Sequence, residues 1–257
     1  MLRGSDHRTR DRDCDSVAFG SPVHNQDMLD PLADSPWSME ATVQGFVRSL
    51  PNDTLLRFAA AERTRAPHGW ALDIGCGAGR NAVPLARDGW QVLGTDLSWP
   101  MLEAAAGRAR SEDTGGRLHL ALSPMDVLPA RSRAFDLIVA HGIWNLASSV
   151  AGFRRAIAEA ARVAAPGAGL FVFTFSRRTL PPDLAPVAGE PYAYSEFSGQ
   201  PQTFLTRGQL VTELERVGFV LDDTIPFEEH NLPPEGTVHA LRTPVLLEAA
   251  FRFRGGT

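Results

Sequence analysis

Asp73, Gly75, Gly77 and Gly79 stand in the run ALDIGCGAGRN, a carboxylate followed by three alternating glycines. Glycines at that spacing let the chain turn sharply after a strand and let a ligand approach the amides of a helix N-terminus without meeting a Cβ. The flanks agree. Trp70–Ile74 is a short apolar run of the kind buried in parallel sheets, and Val83, Leu85 and Ala86 can pack beneath a sheet while Arg87 and Asp88 face water. Gly89 supplies the stop, and Pro84 fits only in the first turn, where a missing amide needs no partner. A dinucleotide fingerprint would need its third glycine where Arg80 stands. The Asp73 carboxylate would repel a pyrophosphate and welcome an ammonium, so the better occupant is a nucleoside cofactor without phosphate. S-adenosylmethionine, with an amino-acid ammonium and a sulfonium, has that chemistry.

A second carboxylate follows. Trp90–Asp96 reads as the next strand, and an acid about 20 residues past a glycine loop, at a strand's carboxyl end, can accept both ribose hydroxyls. Ser98 and Pro100 leave Asp96 the alternative of a helix-capping role. Leu97 and Met101 are placed to flank an adenine.

From roughly Trp37 to Phe253, and most sharply from Ala71 to Ser98, the chain resembles the class I S-adenosylmethionine-dependent methyltransferases, whose first motif is acidic-x-Gly-x-Gly-x-Gly. The run LDIGCGAGRNAVPLARDGWQVLGTDLS is similar to the tellurite-resistance type and its small-molecule relatives. The resemblance implies an α/β fold, a Rossmann-like doubly wound seven-stranded sheet, mostly parallel with an antiparallel last strand. It implies S-adenosylmethionine held by Asp73, Gly75, Cys76, Gly77, Asp96, Leu97, Met101, Met125, Asp126 and His141. Asp126 fits only through a shifted loop: relatives have Gly-Asp-Ala-x-x-Leu-Pro, and alignment on Leu128-Pro129 puts Ser123 or Pro124 at the aspartate.

Phe135–His141 reads as a fourth strand opening onto Gly142–Leu146. In open α/β sheets ligands collect at the carboxyl ends of the strands, and in the resembling family this end lies beside the transferring methyl. His141 is therefore the candidate general base for an in-line displacement on the sulfonium, with either loop tyrosine behind it. Trp144, Asn145, Tyr192 and Tyr194 are the substrate-side candidates. A histidine at a strand end can equally be a hydrogen-bonded structural group, and Trp144 a core side chain.

These groups need elements to position them. Residues 1–36 mix arginines with aspartates and read as a disordered tail. Residues 37–66 read as two helices, the first capped by Ser38 and ended by Pro51, the second capped by Asn52 or Asp53, forming a lid or a cover. Residues 67–257 would be the methyltransferase domain, with a loop insertion at about 176–205. Leu118–Leu122 and Leu170–Phe175 complete the first five strands, with Ala165–Gly169 as a turn. Ser148 or Ser149 caps the helix before that turn, and Thr206–Gln209 has capping-box form. Phe219–Phe227 and Pro244–Phe253 read as the last two strands, the second antiparallel between the fifth and sixth in the family. His230 and His239 fall in a Pro-Gly-rich turn and read as exposed, so no metal is expected.

The chain has 257 residues, 44% hydrophobic, enough for one sizeable α/β domain. A net charge of -5 offers no footprint for nucleic acid or an anionic membrane. All basic residues are arginine, so lysine Schiff-base chemistry is excluded. Two cysteines, Cys14 and Cys76, cannot build a disulfide framework, which points to the cytoplasm, and no run has the length of a membrane span. The expectation is methyl transfer to a small organic metabolite, without nucleic-acid or membrane partners and compatible with a homodimer. The rivals are a non-methylating S-adenosylmethionine-binding protein or partner subunit of the same fold, an RNA methyltransferase, and an NAD-dependent oxidoreductase.

Overall fold

A computed structural model describes residues 30–33, 35–232 and 243–255. The central sheet starts where the apolar runs lie: β1 (Trp70–Ile74), β2 (Gln91–Asp96), β3 (Leu118–Leu122), β4 (Phe135–His141) and β5 (Ala164–Phe175) are parallel in the order β3-β2-β1-β4-β5. β10 (Leu246–Phe253) pairs antiparallel with β5, and both β8 (Phe219–Leu221) and β9 (Glu228–His230) pair with β10. The fold is the Rossmann-like, mostly parallel α/β sheet expected, with eight strands in place of seven.

The extra strand arises because 219–227 does not run as one. Asp222 accepts the Thr224 amide in a tight turn, and Pro226 has no amide to offer a ladder, so the strand breaks and resumes as β9. β5 also begins earlier than expected. Ala164 already pairs with Phe135, after which 165–168 bulge out around Gly167 (φ 81°) before Gly169 meets Leu137.

Alternation within β4 shows how the layers form. Leu137 and Val139 face Leu55, Phe58 and Leu85, while Ile138 and Ala140 face Phe153, Ile157 and Ala160. The first group comes from α2 (Asp53–Arg65) and α3 (Ala82–Arg87), the second from α5 (Val150–Val163). Asn52 caps α2, Ser98 caps α4 (Trp99–Ser111), Ser149 caps α5, and Thr206 with Gln209 closes the capping box of α6 (Arg207–Glu215). Pro84 falls in the first turn of α3, and Gly89 (φ 94°) follows its end. α1 (Glu40–Arg48) is different: Met39, without a side-chain bond, is its N-cap, because Ser38 belongs to a preceding 3-10 turn and meets the Ser98 hydroxyl at 3.0 Å.

Residues 1–29 of the expected tail lie outside the described residues. The described part of the chain begins before the expected boundary, since Asp30 already accepts the amide of Trp99 at 3.1 Å. The insertion is built rather than irregular. β6 (Ala193–Tyr194) and β7 (Gln202–Thr203) form a hairpin over a cluster of Leu180, Tyr194 and Phe204, and the Thr203 hydroxyl donates to Ala147 O at 2.8 Å. Among the described residues no helix is long and apolar enough to cross a membrane.

Candidate functional site

A cavity of about 660 Å³ opens at the carboxyl ends of β1, β2 and β4. Gly75 and Gly77 form its floor, with φ of 68° and 52°, in the left-handed region that glycine enters without strain. A Cβ at Gly75 would sit 2.6 Å from Ile143, so the loop after β1 and the loop after β4 touch only because that carbon is missing. Gly79 does not reach the cavity. Its absent Cβ admits Val83 and Ala105, which seats the loop on α4.

Asp96 ends β2 on the cavity wall. It accepts the Gly77 amide at 2.8 Å and the Ser98 amide at 2.9 Å, one on each oxygen, so each oxygen keeps a lone pair for a ligand diol. Burial raises its pKa against the backbone bonds from Ser98, Gly77 and Leu97, with the Asp30 charge adding to the rise. Leu97, Met101, Met125 and Asp126 line the same cavity, and the Asp126 carboxylate is held by Arg155 Nε at 3.0 Å. The cavity therefore fits S-adenosylmethionine on structural grounds: a cradle that a Cβ would fill, beside a carboxylate with oxygen capacity to spare.

Two expected cofactor residues stand behind the wall. Asp73 is 2% exposed and Cys76 is 4% exposed, and neither lines the cavity. Cys76 packs against Gly94 of β2, where a Cβ would lie 2.9 Å from its sulfur, so its role is to close the strand against the loop. Asp73 acts through its field. Burial pushes its pKa up to about 7, with Arg80 opposing and Asp96 adding. A carboxyl held above its usual value of 3.8 favours the folded state below that value, and the advantage fades as pH rises through about 7. Thermal unfolding of the ligand-free protein should therefore fall more steeply from pH 5 to pH 8 in the wild type than in Asp73→Asn; equal slopes would contradict the assignment.

His141 lines the cavity, but its ring is already engaged. Arg80 Nη2 lies 3.0 Å from its Nε2 and Asn52 Nδ2 lies 3.4 Å away. A guanidinium only donates, so Nε2 is the acceptor and the proton sits on Nδ1. Burial first, then the Arg80 charge, brings the pKa down to about 3. Stacked on Phe173 at 4.3 Å, His141 is a neutral acceptor for a cation rather than a poised base.

The substrate-side candidates are not on the cavity wall. Trp144 and Asn145 form a 3-10 turn whose side chains point into the core, Trp144 edge-on to Phe153 at 6.2 Å. Tyr192 meets the same Phe153 at 5.8 Å, and burial lifts its pKa to about 12. Tyr194 receives Arg177 Nε at 2.9 Å and packs on Phe204. Each was placed by chain position, and the hairpin turns both tyrosines inward. The aromatic and apolar wall comes instead from Trp37 and Phe46, from Ile143 against Gly75, and from Phe173, Phe175, Pro244 and Leu246 beyond it. Phe173 and Phe175 alternate at the carboxyl end of β5, a period-2 signal present in the sequence. Trp37 and Phe46, 6.1 Å apart, reach the cavity only through tertiary closure.

Beyond Asn52 the polar chain continues: Asn52 Nδ2 donates to the buried Glu248 at 2.7 Å, and Glu248 faces His230 at 3.3 Å. Glu228, His230 and Glu248 bring three ligand-type atoms within 4.8 Å of one another, so His230 is in a cluster rather than free in solvent. His239 lies outside the described residues.

Residues 71–167 match the family model of a methyltransferase domain. The chain is 29% identical over 164 residues to a ubiquinone biosynthesis O-methyltransferase of Methylobacterium sp. (strain 4-46), covering 63% of this chain and 64% of that one. It is 28% identical over 173 residues to a demethylmenaquinone methyltransferase of Lactiplantibacillus plantarum, covering 60% and 71%. The chain spans about half to two thirds of the length of the first curated relatives it matches. In fold it is similar to an S-adenosylmethionine-dependent methyltransferase from Methanosarcina mazei, with a TM-score of 0.62 and 22% identity over 79% of this chain and 99% of that one. The methyltransferase-domain match thus covers the stretch from β1 into the bulge of β5, and the fold around it is the one that the Methanosarcina mazei enzyme has.

Proposed function

We propose that this chain transfers a methyl group from S-adenosylmethionine to a small, flat, largely apolar organic acceptor. One observation carries the reading: a single cavity joins the Gly75–Gly77 loop and Asp96 at one side to Phe173, Phe175, Pro244 and Leu246 at the other. The likeness to an enzyme named for ubiquinone biosynthesis supports an aromatic acceptor. The tellurite-type likeness concerns the stretch up to Ser98 and says nothing of the acceptor.

S-adenosylmethionine, when bound, supplies an electrophilic methyl on a sulfonium. Asp96 would hold the ribose, and Leu97, Met101 and Met125 would border the adenine. Trp37 and Phe46 close the cavity from α1 and its approach, keeping water from the reacting face. Phe173 and Phe175 would press a planar acceptor toward the loop after β4. The protein's contribution is alignment and desolvation.

His141 takes no proton in this account, because its lone pair is occupied and its conjugate acid is far stronger than a phenol of pKa about 10. His141→Asn should keep turnover within about tenfold, against the hundredfold or greater loss typical of a removed base. Its pH–rate profile should keep the wild-type shape, and disappearance of an ionisation in the variant would restore the histidine to a catalytic role. The function itself is tested by incubating the protein with methyl-labelled S-adenosylmethionine and a panel of aromatic and quinone-type phenols. Label in an acceptor supports the reading, and a cofactor that binds without label transfer to any of them favours the non-methylating alternative.

A further inference from the structure

We propose that Arg80 is a carboxylate-recognition residue of this cavity, an inference that rests on the cavity holding S-adenosylmethionine and its acceptor.

Arg80 follows the third glycine of the loop and turns its guanidinium onto the cavity wall between β1 and β4. Its surroundings answer its charge poorly. Among the described residues it has no ion pair, and its polar contact is the neutral Nε2 of His141. Its Nε is buried with no hydrogen-bond partner at all. Asp73 reaches it only through space, from beneath the loop, while burial works against the charged form. Glu248, the buried carboxylate further along, is occupied by Asn52 and stands beyond it and His141. A half-buried guanidinium whose charge meets only a neutral acceptor is costly to keep unless a ligand brings an anion to the end that lines the cavity.

The guanidinium fork suits a carboxylate, which can take two of its donors at once. The cation is held in place from behind: His141 is stacked flat on Phe173 and offers only a lone pair, so it orients Arg80 without neutralising it. Two ligands of the cavity could carry the anionic group, the amino-acid end of the cofactor or an acidic substituent on the acceptor.

Calorimetric titration separates them. Wild type, Arg80→Gln and Arg80→Lys would each be titrated with S-adenosylhomocysteine, with methylthioadenosine, which lacks the amino-acid end, and with para-hydroxybenzoate and its methyl ester. Thermal unfolding of each variant checks that it is folded. The expected result is a loss of about tenfold or more in Arg80→Gln for a carboxylate-bearing probe and no change for its uncharged counterpart, with a smaller loss in Arg80→Lys. If the pair that responds is S-adenosylhomocysteine and methylthioadenosine, the carboxylate is the cofactor's; if it is the acid and its ester, the carboxylate is the acceptor's. A folded Arg80→Gln that binds every probe as the wild type does overturns the proposal. Failure of the cofactor reading looks different: the wild type would bind neither nucleoside, and the acid and ester pair would still report on Arg80.

Discussion

Arg252→Met is expected to destabilise the protein by about 3–5 kcal/mol, the usual cost of breaking a buried ion pair from one side. Arg252 lies on β10 and is 4% exposed, and its guanidinium gathers three other segments. It donates to both oxygens of Glu62 on α2, to the Asp222 carboxylate at the end of β8, and to Gly167 O at 3.0 Å in the bulge of β5. Phe58 packs against it from the α2 side, with the guanidinium carbon 6.0 Å from the ring centroid. With methionine in place, Glu62, itself 3% exposed, loses the charge that justifies its burial. Arg65 approaches Glu62 only at 3.8 Å from an exposed position and cannot replace Arg252.

Urea unfolding would read the loss as a lower midpoint at an unchanged slope. The double variant Glu62→Gln with Arg252→Met should recover part of it, because the stranded charge is removed. A single-variant loss below about 1 kcal/mol would mean that the cluster contributes little more than a surface pair. The Asp222 carboxyl adds a pH signature. Burial raises its pKa, but the Thr224 bonds and then Arg252 outweigh this and hold it below the ordinary value of 3.8. That contribution is present above 3.8 and is lost as pH falls through the depressed value, so acid should erode this tie.

Asp96→Ala is expected to weaken S-adenosylhomocysteine binding by about a hundredfold or more. A ribose diol held by a carboxylate makes two charge-assisted hydrogen bonds, each contributing about 1.5–3 kcal/mol. Alanine also releases the Gly77 and Ser98 amides, which Asp96 now holds at 2.8 and 2.9 Å, so the floor of the cavity loses its anchor to β2. Asp96→Asn keeps the shape, gives up the charge, and replaces one acceptor by a donor facing an amide. It should fall between the two. Equal affinities for wild type and Asp96→Ala would remove the ribose role and leave Asp96 as a cap for the turn before α4.

What could be read from the sequence was local. Three glycines between a strand and a helix, Asn52 or Asp53 and Ser148 or Ser149 as caps, and the Thr206–Gln209 box are set by neighbours a few residues away; the structure has the glycines and the box and takes Asn52 and Ser149, while the cap of α4 is Ser98 rather than Asp96. Gly75, Gly77 and Asp96 came from the motif and its spacing, and Leu97, Met101, Met125, Asp126 and His141 from the family resemblance, Asp126 only through a shifted loop; each of them lines the cavity. What could not be read depends on distant packing. Tyr192 and Tyr194, substrate-side candidates in the loop insertion, are drawn inward by Phe153 and Arg177. Arg80 was visible only as a missing glycine, because its role depends on meeting His141 from another strand, 61 positions away in sequence. The break between β8 and β9 needed Asp222 to be recognised as a turn former as well as an ion-pair partner.

The central claim is that the cavity holds a sulfonium nucleoside without phosphates. Its most direct test is calorimetric titration of the purified wild type with S-adenosylmethionine, S-adenosylhomocysteine and NADH. The structure predicts saturable binding of both sulfur nucleosides with one site per chain and none of NADH. A well-folded protein that bound NADH, or that bound neither sulfur nucleoside, would contradict the claim, and the methyl-transfer reading would fall with it.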